Sequence, residues 1–215
     1  MLRKLFSADR NTAMGCRQTK KADTDIQPEK KNLANDKDEF TGICVDPRLP
    51  LDARQIFKLK QSWKGIKRNM EPTGVEMFLR LFKRKSELKT LFKSFKHLEK
   101  EDELRENEAL EHHATLVMTT LDDAITNIDN VEYISCTLSE RGGSHVRFNG
   151  FHESNFYNIK EPFLDAVKIT LEDRSNEAIE RIYNIAITFI LNTLANGFVE
   201  AREAKEAKEA KEKLK

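Results

Sequence analysis

From Ile56 to Leu194 the apolar residues of this chain recur three and four positions apart without settling into alternation, so helices are what they can bury on one side. Ile56, Leu59, Trp63 and Ile66 form one stripe, and Val75, Phe78, Leu79 and Phe82 a second. The third is long, running Leu110, His113, Ala114, Val117, Leu121 and Ile125. Phe156, Ile159, Phe163, Val167 and Leu171 make a fourth, and Ile179, Ile182, Ala186, Phe189, Ile190 and Leu194 a fifth. With only 8 Gly and 5 Pro in 215 residues, a turn-rich β architecture is disfavoured. The pattern predicts an all-α domain over residues 51–199, its helices packed at angles, between a polar extension (1–48) and a charged tail (200–215).

Local signals place the ends of these helices. Asp52-Ala53-Arg54-Gln55 has the form of a capping box, and Glu71-Pro72 puts a proline near the first turn of the next helix. A short segment from Ser86 to Phe95 carries Leu88, Leu91, Phe92 and Phe95, and a polar loop is expected from Lys96 to about Leu104. A short helix should end near Arg141-Gly142-Gly143, before a turn at Asn149-Gly150. Pro162 sits early in the fourth stripe and marks a kink or a start there. The extension lacks helical periodicity and is too polar to offset chain entropy, so disorder is expected. The Glu-Ala-Lys triplets of the tail favour helix but offer no apolar stripe, and their Lys205-to-Glu209 order is the weaker one for an ion pair. A solvated helical spacer of partial order is the reading.

Charge and motifs exclude several classes. With 37 Lys+Arg against 36 Asp+Glu, the basic excess of a nucleic-acid binder is missing. No uninterrupted apolar run approaches the roughly 18–20 residues that span a bilayer, and the charged start Met1 to Phe6 has no apolar core behind it. Cys16, Cys44 and Cys136 make neither a metal cluster nor a disulfide framework, which points to a reducing, intracellular setting. The sequence has no Gly-rich phosphate loop, no Gly-x-Ser-x-Gly and no His-Glu-x-x-His. Its carboxylates form no recognisable acid–base pair.

The histidines are more informative. Among His97, His112, His113, His145 and His152, His113 lies on the apolar edge of its helix, one turn after Leu110 and one before Val117, which aims its imidazole inward. His112 shares a mixed face with Thr115, Leu116 and Thr119 and is the rival. His145 follows His113 by 32 residues, just after a glycine pair. Two inward histidines across an aromatic-rich gap suit an iron porphyrin. Phe78 and Phe92 could wall one side, and Phe148, Phe151 and Phe156 the other. The bland alternatives are a histidine at the edge of the core, a histidine favoured by a helix C-terminus, and phenylalanines that merely fill space.

Here the chain resembles a known family. Gln61-Ser62-Trp63, the run Val75-Glu76-Met77-Phe78-Leu79-Arg80-Leu81-Phe82, Leu91-Phe92, His113 with Val117-Met118, and Ser144-His145 together resemble the globins, over Leu51 to Val199. Within them the likeness is greater to the neuroglobin and globin X group. The resemblance implies a globin fold around haem b, with Phe92 stacked on the porphyrin and Phe78 on the distal side. Val117 becomes the apolar distal residue, His113 the distal histidine and His145 the proximal iron ligand, with Phe156 in the pocket. It implies a diatomic ligand such as oxygen, nitric oxide or carbon monoxide. His113 either hydrogen-bonds that gas or binds iron itself, and likeness to neuroglobin and globin X favours the second. A bis-histidine haem suits redox or gas sensing or electron transfer; the alternative is a pentacoordinate oxygen carrier or store, and a more remote one a non-haem helical interaction protein. With no flavin or nicotinamide domain, turnover such as slow nitrite reduction or nitric oxide dioxygenation needs an external reductase, and the chain is not read as an enzyme in its own right. The second nitrogen of His145 should donate to the Arg141 carbonyl or the Ser144 hydroxyl. Leu116 stands where many globins carry a basic partner for a haem propionate, leaving His112 or Arg147 for that role.

Met14-Gly15-Cys16-Arg17-Gln18-Thr19 matches the N-myristoylation pattern, with Cys16 placed for palmitoylation and Lys20 and Lys21 beside it. Globin X proteins resemble this at their start. Two acyl chains would anchor stably, but the motif works only if Gly15 becomes the first residue. Translation from Met14 gives an anchored form and translation from Met1 a soluble one. Residues 1–21, with six Lys/Arg against Asp9, also read as a weak organelle-targeting segment. The expected setting is the cytoplasm, free or at the inner face of the plasma membrane.

Overall fold

The computed structural model describes residues 44–213. The readings made on the first 43, among them the acylation motif at Gly15 and Cys16, lie outside the described residues. The described chain is helical, with no strand among those residues. Its helices are α1 (Ala53–Lys67), α2 (Met70–Arg84), α3 (Glu101–Arg105), α4 (Glu108–Thr126), α5 (Val131–Gly143), α6 (Ser154–Tyr157), α7 (Lys160–Leu171) and α8 (Glu177–Lys213). Single 3-10 turns occupy Ser86–Leu91, Ser144–Arg147 and Glu172–Arg174.

The capping box closes as the sequence predicts. The Asp52 carboxylate accepts from the Gln55 amide at 2.7 Å, and the Gln55 side chain accepts from the Asp52 amide at 2.9 Å. From this fixed start α1 buries Ile56, Leu59, Trp63 and Ile66. Side chains at α1's other end fasten it to α4: the Trp63 indole donates to Asp122 at 2.9 Å and Lys67 pairs with the same carboxylate at 2.7 Å. Helix α2 follows after two residues and packs on α4 and α7. The Thr73 hydroxyl, buried at that junction, shares a 2.9 Å hydrogen bond with Thr170 of α7.

Two expectations need correction. The segment read as a polar loop contains α3, because Glu101, Asp102 and Glu103 at its start and Arg105 at its end suit the helix dipole. It is pinned by buried Leu104 and by Arg105, which reaches Glu76 of α2 at 3.2 Å. The fourth stripe is not one helix but two, α6 and α7. Pro162 has no N–H to give the Asn158 carbonyl, and the chain crosses Asn158 and Ile159 by tighter bonds to Asn155 and Phe156 at 3.3 Å each. The charged tail is helical as expected: α8 runs unbroken from the core to Lys213.

Helix α8 is the spine of the fold. Ile182, Tyr183, Ala186, Ile187, Ile190, Leu191, Ala195 and Phe198 are buried along it, and α5 lies against it more extensively than any other helix does. Part of α8 is long and apolar enough, by composition alone, to cross a bilayer, but just over half of that stretch is buried in this core. It packs as the central helix of a globular domain.

Candidate functional site

Helix α4 carries the first histidine. Its start is set by Asn107, whose side-chain oxygen accepts from the amides of Ala109 and Leu110 at 3.1 Å each. With that phase fixed, Leu110, Ala114, Met118 and Leu121 face the core, Val117 is half-buried, and His113 turns inward. His112, one residue earlier, is exposed, which separates it from its rival. The His113 ring meets the Phe78 ring at 5.1 Å and the Phe92 ring at 5.0 Å, both edge-on. Phe92 in turn stacks on Phe95 at 4.9 Å and meets Phe82 at 5.6 Å. Burial among these rings, with the nearby His145 and His112 as lesser causes, pushes the His113 pKa down to about 4. The imidazole is therefore neutral at physiological pH and keeps a lone pair.

The second histidine is held differently. Helix α5 starts at Asn130, whose side chain accepts from the Tyr133 amide at 3.2 Å, and ends at Gly143. His145 falls in the 3-10 turn that follows, with its Nδ1 2.8 Å from the Arg141 carbonyl oxygen. A carbonyl only accepts, so Nδ1 carries the proton and Nε2 is left with its lone pair. The Ser144 hydroxyl donates to the same carbonyl at 2.7 Å. Around the ring stand Phe151 at 4.9 Å, Phe156 at 5.0 Å and Phe148 at 5.8 Å. Burial also lowers the His145 pKa, against the Arg141 carbonyl, which raises it.

The structure thus sets two neutral imidazoles, each among phenylalanines, near enough for the charge of one to bear on the other. Phe78 and Phe92 thus stand beside His113, with half-buried Val117 one turn further along α4, and Phe156 stands beside His145. Both propionate candidates are exposed, and of the two Arg147 lies next to His145, stacked over Phe148 at 4.9 Å. His97 and His152 are exposed and take no part. Among the described residues, no three His, Cys, Asp or Glu side chains gather as a metal site. Sequence reasoning missed Phe198 of α8, whose ring backs Phe151 at 5.6 Å and Phe156 at 6.2 Å. Its position, four residues beyond Leu194, continued the fifth stripe and was the available signal.

A family model described as Globin matches residues 75–191, which takes in both histidines and their walls. The chain belongs to the globin family. Among solved structures, a hexacoordinated heme protein from an anhydrobiotic tardigrade is 38% identical, with a TM-score of 0.69, over 71% of this globin and 98% of that chain. Cytoglobin-1 of Oryzias latipes is 30% identical over 97 residues, 45% of this chain and 55% of its own length. Neuroglobin of Dissostichus mawsoni is 27% identical over 146 residues, 67% of this chain and 91% of its own. The match thus covers little more than half of the cytoglobin, and 65% of Globin-3 of Mordacia mordax. Haem is the cofactor of the family, and the donor set fits it: two imidazoles with free lone pairs, aromatic faces for the macrocycle, and a backbone carbonyl fixing the His145 tautomer.

Proposed function

We propose that this globin holds haem b through His145 and closes the sixth position of the iron with His113, binding oxygen, nitric oxide or carbon monoxide only when His113 withdraws. The observation that carries the reading is the matched pair of neutral, aromatic-walled imidazoles, one on α4 and one after α5. The likeness to the hexacoordinated heme protein of the tardigrade supports it. Bound haem would supply a redox-active iron and an electron-rich coordination site. The chain's own residues set how that iron is reached. His145 presents Nε2 because Nδ1–H is spent on the Arg141 carbonyl. The phenylalanines exclude water, and His113 competes with any gas, so apparent gas affinity falls by the open fraction.

That internal competition suits redox or gas sensing, or electron transfer from an external reductase, better than bulk oxygen storage. The acylation pattern at Gly15 and Cys16 supports a form attached to the inner face of the plasma membrane, reached by translation from Met14. Visible spectra of the haem-loaded protein test the central claim. Sharp, split bands in the ferrous, gas-free state are expected, and His113→Leu should convert them to one broad band. A broad band in the unaltered protein would favour an open oxygen-storing site. Failure to take up haem would overturn the proposal.

A further inference from the structure

Helices α5 and α8 do not meet through side chains alone. A Cβ on Gly142 would lie 1.9 Å from the Leu194 carbonyl oxygen of α8, and one on Gly197 would lie 2.3 Å from the Ser139 carbonyl oxygen of α5. Each glycine clears room for the other helix's backbone. Neither contact ends in a flexible side chain that could step aside. Gly143 is also close to α8, though less tightly: a Cβ there would be 3.0 Å from the Ala201 Cβ and 3.3 Å from the Gly197 carbonyl oxygen.

This crossing coincides with the anchor of the proximal histidine. The carbonyl that accepts from the His145 Nδ1–H at 2.8 Å belongs to Arg141, in the peptide that joins it to Gly142. The peptide that orients the imidazole is thus the one seated on α8. On the distal side, a Cβ on Gly74 of α2 would meet the Met118 side chain of α4 at 2.7 Å, which methionine can relieve by repacking, and the Ala114 carbonyl oxygen at 3.2 Å.

Resting on the haem reading above, we infer that Gly142 and Gly197 are positioning residues for His145: they lock the Arg141–Gly142 peptide to α8 and fix the direction and reach of the proximal bond.

The test uses the haem-loaded full chain carrying His113→Leu, which leaves His145 as the only protein ligand, and reads the iron–histidine stretch by low-frequency Raman scattering together with the rate of haem loss to a scavenger globin. Adding Gly142→Ala should shift the stretch and speed haem loss by about 10–100-fold, the usual cost of disturbing the partner of a metal-bound histidine. Gly143→Ala, which keeps the fold within easier reach, should move both readouts in the same direction by less. Leu138→Ala removes a buried side chain from the same helix and should lower stability while leaving the stretch in place. An unchanged stretch in both glycine variants, or an equal shift in Leu138→Ala, would overturn the inference. The proximal bond itself is checked first, because an iron–histidine stretch absent from the His113→Leu parent means that the haem reading has failed instead.

Discussion

The two histidines of this globin are the same residue held by opposite means. His113 stands in the middle of a long capped helix and is fixed by packing: ring edges hold it, and no hydrogen bond from a described residue reaches its imidazole. His145 stands past the end of a shorter helix and is fixed by direction, through one hydrogen bond to a backbone carbonyl. Packing is non-directional and yields by small rearrangements, whereas a hydrogen bond to a seated peptide fixes orientation. On the proposed reading, the difference suits a ligand that must leave and one that must stay.

That contrast can be broken at either end. The largest effect is expected from His145→Leu, which should abolish haem retention, read as loss of the haem absorption band after gel filtration. His113→Leu should keep the haem, so equal loss in both variants would erase the distinction. Next, Phe78 is buried against His113, Phe82 and Phe92, and Phe78→Ala should cost about 3–5 kcal/mol in urea unfolding, as deletion of a core aromatic does. It should also loosen His113, raising the open fraction and the apparent carbon monoxide on-rate.

A titration sharpens the same point. In the haem-free chain the His113 pKa lies near 4, below its ordinary 6.5, so the unfolded state binds the extra proton first. Stability is therefore full above about pH 6.5 and is lost as pH falls toward 4, by about 3 kcal/mol at most from this group. His113→Leu should flatten that limb of a plot of urea midpoint against pH; an unchanged slope would move the cause to another group. The smallest effect is expected at the cap. Asn107→Ala should cost about 1 kcal/mol by removing the acceptor for the Ala109 and Leu110 amides, and should fray the turn that precedes His113. Cytochrome-like spectra should persist, because His113 lies well inside the helix.

Much of this was legible before any coordinates. The helical stripes located α1, α2, α4 and the buried face of α8, since burial of one face is what a 3.6-residue period encodes. His113 could be told from His112 by the same period. Less legible were features that depend on distant partners. Helix α3 has a single buried apolar residue, Leu104, and rests partly on the Arg105–Glu76 contact with another helix. The division between α6 and α7 was signalled by Pro162, but whether proline kinks a helix or begins one depends on what packs around it. The close approach of Gly142 to Leu194 has no sequence signature, because a glycine shows that space is available and not what fills it.

The unbroken run of α8 has a thermodynamic consequence of its own. Starting a helix is the costly step, and a Glu-Ala-Lys segment by itself would meet that cost from water. Here the buried turns up to Phe198 act as a permanent nucleus, and the Arg202–Glu153 ion pair at 2.9 Å stitches the first exposed turn to the domain. Each later residue need only propagate, extending the rod by about 1.5 Å. Amide exchange should then quicken steadily from Glu200 toward Lys213, with the globin core serving as the template on which the arm grows.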